Sequence, residues 1–167
     1  MVVGNSRLEA EISEDLTTVR IRLRGQFLEP YELTAPLSVR TNTVVFELTE
    51  LERMNSVGVR QWDHWMRAIS KSAPKAVIEL KGMPGFFVDL FNLIHEFVPE
   101  PYRVESFYLP CYCEQCEVSS ETLVSSADEP LPRRVEQLPA LACGTCGQQL
   151  DVDIVSDRYF QFMKKSL

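Results

Sequence analysis

What the chain lacks narrows it first. No apolar run approaches the ~20 residues that a membrane-spanning helix needs. The opening residues MVVGNSRLEAEIS have neither the apolar core nor the cleavage site of a secretory signal. A cytoplasmic location without a membrane partner is therefore expected. Positive charge is in deficit: 17 Lys and Arg stand against 24 Asp and Glu, for a net charge of −7. That balance repels a phosphate backbone and makes nucleic acid an unfavourable main partner. No glycine-rich loop is present to cradle a nucleotide phosphate. The two histidines, His64 and His95, fall on expected helices without ligand spacing to any cysteine. With no Ser/His/Asp grouping, no catalytic carboxylate pair and no open metal site, the chain is not expected to be an enzyme.

What is present is the composition of an ordinary globular protein, 45% hydrophobic and 25% charged over 167 residues. Residues 8–12 and 18–25 alternate apolar and polar and read as a hairpin. Pairing Ser13 with Thr18 sets Glu11 against Arg20 and Glu9 against Arg22, so Arg20, Arg22 and Arg24 belong to a solvated face rather than a nucleic-acid patch. Residues 26–40 contain Pro30 and Pro36 and read as a loop. Strand periodicity then runs over 44–48, and helical periodicity from Val59 through Trp62, Trp65, Met66 and Ile69. A strand over 76–80, a helix over 86–98 ended by Pro99, and a strand over 104–109 follow. The second helix is apolar on two stripes, wider than a one-sided surface helix requires. Residues 119–132 are polar and read as an excursion. A strand over 150–155 and a helix over 158–167, capped by Ser156 or Asp157, complete the chain. Strands separated by helices at this spacing imply an α/β fold, a mixed sheet with helices packed on it.

The most specific signal is a pair of Cys-x-x-Cys turns, Cys113/Cys116 and Cys143/Cys146, with 26 residues between them. Each turn brings two thiolates to one metal, and two turns complete a closed tetrahedral site, the pattern of structural zinc. The Cys143-Gly-Thr-Cys146-Gly147 turn resembles the knuckle of zinc ribbons and rubredoxins, and iron is the rival metal. Cys111, the odd thiol of five, is expected to be a spare buried thiol, the alternative being that it competes with Cys113 as a ligand. The segment is too polar to form its own core, so chelation is expected to unfold the C-terminal third.

The strand–turn–helix over 44–69 resembles the STAS domain family, which includes bacterial anti-sigma-factor antagonists and the cytoplasmic tails of sulfate transporters. Val44-Val45-Phe46-Glu47-Leu48 stands for that family's strand, Asn55-Ser56-Val57-Gly58 for its Asp-Ser-Ser-Gly turn, and Val59-Arg60-Gln61-Trp62 for the helix start. The resemblance implies a STAS-like domain over 1–110, with a small β-rich, zinc-ribbon-like segment over 111–167. It implies a regulatory interaction module whose turn, Asn55, Ser56 and Gly58, docks a protein partner. Ser56 stands where antagonists are phosphorylated by a partner serine kinase of the anti-sigma type. A homodimer is a further expected assembly. Asn55 and Val57 depart from the family pattern, and a plain N-cap is the competing reading of the turn. The alternative function is a nucleic-acid-associated zinc ribbon of the transcription machinery, with Arg133, Arg134 and Tyr112 as its slender basic and aromatic support.

Overall fold

The computed structural model describes residues 2–4, 7–31, 37–127, 130–164 and 166. Six strands lie side by side in chain order: β1 (Val2–Gly4), β2 (Leu8–Glu14), β3 (Thr18–Phe27), β4 (Thr43–Met54), β5 (Val77–Lys81) and β6 (Tyr102–Val104). The first three run antiparallel, and β3 to β6 run parallel. Parallel neighbours need crossovers. Two of these are helices, α1 (Ser56–Ser72) between β4 and β5 and α2 (Gly85–Leu93) between β5 and β6. The fold is therefore mixed α/β with a mixed sheet. The described parts of 28–42 hold no helix or strand, and residues 32–36 lie outside the described set.

Alternation divides the sheet into two unlike faces. Leu8, Ala10, Ile21, Leu23, Phe46, Leu48 and Leu80 are buried under the helices. The opposite face carries the arginine ladder, with Arg22 Nε 2.7 Å from Glu47 and Arg24 Nε 3.0 Å from Glu50. These pairs stay solvated, so water and salt screen them and each adds little to stability. The faces follow the sequence pattern, but the hairpin register is shifted by two residues: Glu11 faces Arg22 and Glu9 faces Arg24. The turn therefore sits one position further along the chain, where Asp15 stabilises it. Its carboxylate accepts from the backbone N–H of Thr17 and Thr18 at 3.2 and 3.0 Å.

Strand β4 runs six residues past the expected stop at Leu48, through two bulges. Arg22 to Arg24 spans Glu47 to Glu50, and Gly25 to Gln26 spans Leu51 to Arg53. Each extra residue resets the pleat, which returns Leu51 to the buried face after strict alternation has ended. Helix α1 then approaches the end of β3 closely. A Cβ on Gly58 would collide with the Phe27 carbonyl oxygen and approach Met54 Cγ to 2.7 Å. Gly58→Ala is expected to lower stability by about 1–3 kcal/mol, through overpacking that outweighs the better helix propensity. Urea denaturation checks this, and a stabilised variant would contradict it.

The second helix ends at Leu93, five residues before its expected stop at Val98. Ile94 is extended and Glu96 takes a φ of +55°. This break turns Phe97 and Val98 into the core, where the Trp62 indole N–H donates to the Phe97 carbonyl at 2.8 Å. Of the two apolar stripes, Phe87 is fully buried whereas Leu93 is 81% exposed.

The expected strand over 104–109 is in fact two strands. At Glu105 the chain leaves the large sheet, and β7 (Ser106–Cys113) continues outward between β8 (Val118–Ser125) and β9 (Asp151–Val152), both antiparallel to it. Tyr108 N–H still donates to the Met83 carbonyl at 2.8 Å, so the second sheet grows from the edge of the first. β8 lies in the stretch expected to be an excursion. Only Val124 in it is buried, so pairing with β7 rather than apolar patterning defines it. The boundary expected between 110 and 111 falls within β7. Of the strand expected over 150–155, only Asp151–Val152 forms. The terminal helix is also shorter, α3 (Ser156–Tyr159) followed by a 3-10 turn over Phe160–Met163, with Val155 at the N-cap position. Tyr159, Phe160, Phe162 and Met163 pack back into the main core, Phe162 lying 5.2 Å from Phe107 between ring centroids.

Candidate metal centre

Cys113 is the last residue of β7, and Cys116 follows in the turn before β8. Cys143 and Cys146 form the tip of a small loop: Cys143 N–H donates to Gln148 O at 2.7 Å and Gly147 N–H to Cys143 O at 2.8 Å. The residue after each turn adopts the left-handed conformation, Glu117 at φ +54° and Gly147 at φ +74°. The two turns are thus built alike, but only the second uses the residue suited to that backbone. Glu117→Gly is expected to stabilise the metal-loaded protein by about 1 kcal/mol, raising Tm by about 2–4 °C in a thermal scan. An unchanged or lowered Tm would contradict that.

The four Sγ atoms all lie within 4.8 Å of one another. Cys113 and Cys146 sulfurs are 3.5 Å apart, and those of Cys116 and Cys143 are 4.0 Å apart. Thiolates at about 2.3 Å around a tetrahedral zinc ion stand about 3.8 Å from one another, so these separations bracket the required edge. Backbone N–H groups of Cys146 and then Thr145 aim at the Cys143 sulfur and draw its pKa down to about 6. Cys116 moves the other way, pushed up to about 12 chiefly by its hydrogen bond with the Cys146 thiol and then by burial. Four sulfurs in mutual contact resist joint ionisation, and a divalent cation removes that conflict. The four cysteines therefore fit a metal ion.

Cys111 is buried and its thiol donates to Leu109 O at 3.4 Å, outside the cluster. Burial raises its pKa, consistent with a spare thiol. His64 and His95 are both exposed and do not join the cysteines. Among the described residues, these four cysteines are the one grouping that could hold a metal. No family model, curated protein or solved structure matches the chain. The metal reading accordingly stands on the sulfur geometry alone.

The turn at Asn55, Ser56 and Gly58 lies elsewhere, at the end of β4. Asn55 Oδ1 accepts from Val57 N at 2.9 Å and Gly58 N at 3.0 Å, and its Nδ2 donates to Leu28 O at 3.1 Å. Asn55 thus caps α1 and ties its start to the exit of β3. Ser56 is exposed at the first helical position. Beside it runs a shallow groove lined by Met54, Asn55, Ser56, Val59, Arg60 and Leu90. Gly58 is buried, and its part is the close helix–strand approach described above.

Two positioning residues carry no sequence signal because their partners are distant in the chain. Glu121 of β8 accepts from Gly85 N at 3.2 Å, so a carboxylate from the second sheet sits at the start of α2. Asn92 of α2 clamps the C-terminal segment, donating to Tyr159 O at 2.7 Å and accepting from Phe162 N at 2.8 Å. Among the described residues, no helix is long and apolar enough to cross a membrane.

Proposed function

We propose that this chain is a cytoplasmic regulatory module that works by binding other proteins rather than by catalysis, with a structural zinc ion held by Cys113, Cys116, Cys143 and Cys146. The observation that carries the reading is the set of sulfur separations, 3.5 and 4.0 Å within a cluster no wider than 4.8 Å. Four thiolates fill a tetrahedral zinc ion completely, leaving no position for substrate or water. The ion on this reading is architectural.

The STAS-type part of the proposal rests on the β4–turn–α1 unit and on Ser56. Its hydroxyl is exposed at the first position of a 17-residue helix, where a serine kinase would reach it. A phosphate there would add about −1.5 to −2 charge beside the groove of Val59, Arg60 and Leu90, changing which protein docks. Asn55 already occupies the N–H groups of Val57 and Gly58, so the unmodified turn is stable as it stands. Native mass spectrometry of protein purified from its own host, with light scattering, tests the proposal. One zinc per chain together with a dimer or a defined protein complex is the expected result. A metal-free monomer, or a chain carrying iron instead of zinc, would overturn the assignment in the corresponding part.

A further inference from the structure

We infer that the cysteine-bearing arm is a metal-operated order–disorder switch closed off at its neck. On this inference, loss of the ion melts residues 111–127 and 130–152 while the C-terminal segment beyond them stays docked. The inference rests on the metal reading above.

The arm holds little that would keep it folded alone. Apart from the cysteines, its buried apolar side chains are Val124, Pro132 and Leu150, and the others packed on the core, such as Leu131, Leu141 and Val152, are only partly covered. Its return strand β9 pairs with β7 at just two positions, Cys111 with Val152 and Tyr112 with Asp151. Without four metal bonds, so small a core does not offset the entropy of ordering some 40 residues.

The neck is built differently. The Tyr159 hydroxyl donates to the Tyr108 carbonyl at 2.7 Å, joining positions 51 residues apart across the base of the arm. Beyond it, the Tyr102 hydroxyl donates to Phe162 O at 2.7 Å, Val104 N–H donates to Ser166 Oγ at 3.1 Å, and Asn92 makes its two bonds to the same segment. These anchors lie on α2, β6 and the base of β7, all outside the cysteine turns. The segment also supplies four buried side chains to the main core, Tyr159, Phe160, Phe162 and Met163. Melting therefore stops at the neck. The metal-free arm becomes a loop tied at both ends, so the two cysteine turns remain near each other and recapture the ion reversibly.

Hydrogen exchange read by mass spectrometry on the full chain tests this. It compares the zinc-loaded protein, the same protein after chelation, and the chelated protein with zinc restored. Native mass spectrometry on each sample reports whether the ion is bound. Chelation is expected to speed exchange over 112–126 and 135–152 by about tenfold or more, with Phe160–Met163 unchanged and zinc restoring the first pattern. Loss of protection at Phe160–Met163 together with the arm would overturn the inference, as would an arm that stays protected once the ion has gone. A chain that never takes up zinc would sink the metal reading and this inference together, so the two failures are distinguishable. In the chelated protein, Tyr159→Phe is expected to speed exchange at Phe160–Met163 several-fold. No change there would show that Tyr159 does not hold the neck.

Discussion

Cys113→Ser is expected to abolish stoichiometric zinc binding, the largest effect of any single change in the molecule. Cys113 is 1% exposed at the end of β7, and its sulfur lies 3.5 Å from that of Cys146. A serine hydroxyl stays protonated near neutral pH and binds a borderline-soft ion weakly, so the site drops to three ligands. Structural zinc contributes about 10–16 kcal/mol in small Cys/His sites, and in a segment with so thin a core that energy is folding energy. Mass spectrometry and exchange protection across residues 112–152 read the outcome. The control is Cys111→Ser, which leaves the metal in place while burying an extra hydroxyl. A Cys113→Ser protein that keeps one zinc per chain, or a Cys111→Ser protein that loses it, would move the ligand assignment to Cys111.

Trp62→Ala is expected to destabilise the main sheet by about 4–6 kcal/mol, a large share of the ~5–15 kcal/mol typical of a domain. Trp62 is fully buried, with ring centroids 4.8 Å from Phe46, 5.0 Å from Phe87 and 5.7 Å from Phe97. Removing the indole opens a cavity between β4 and α2 that rigid aromatic neighbours close poorly. It also leaves the Phe97 carbonyl without its donor at 2.8 Å, beside the break that ends α2. Urea denaturation measures the loss. Trp62→Phe keeps a ring but not the N–H, and should cost roughly 1–3 kcal/mol. Equal losses for the two variants would mean that the hydrogen bond, not the packing, holds this part of the core.

The reach of the sequence can be judged from these same elements. Alternation in β2, β3 and the start of β4 identifies which face of the sheet is buried, because a face is a period-two property that survives a two-residue slip in register. The slip itself depended on Asp15, whose carboxylate holds the turn one position further along the chain. Sequence periodicity ends at Leu48 although the strand continues, because a bulge adds a residue without adding an apolar one. The helix after Pro84 was legible at its start and not at its end, where the bond from Trp62 holds a non-helical Phe97. The cysteine grouping that could hold a metal was legible, since Cys-x-x-Cys spacing is local and carries its own geometry. β8 was not, because a solvated strand takes its definition from its neighbour. Neither were Glu121 and Asn92, whose partners lie 36 and 67 to 70 positions away.

Both tryptophans of the chain sit in one aromatic cluster, with rings 6.3 Å apart between α1 and the sheet. The cysteine turns lie at the far end of β7, about 23 Å along that strand from its start at ~3.3 Å per residue. Intrinsic tryptophan emission therefore reports on the sheet and is optically blind to the metal. A protein stripped of its ion would give the fluorescence of a folded molecule, and a cobalt ion in place of zinc would supply the missing colour.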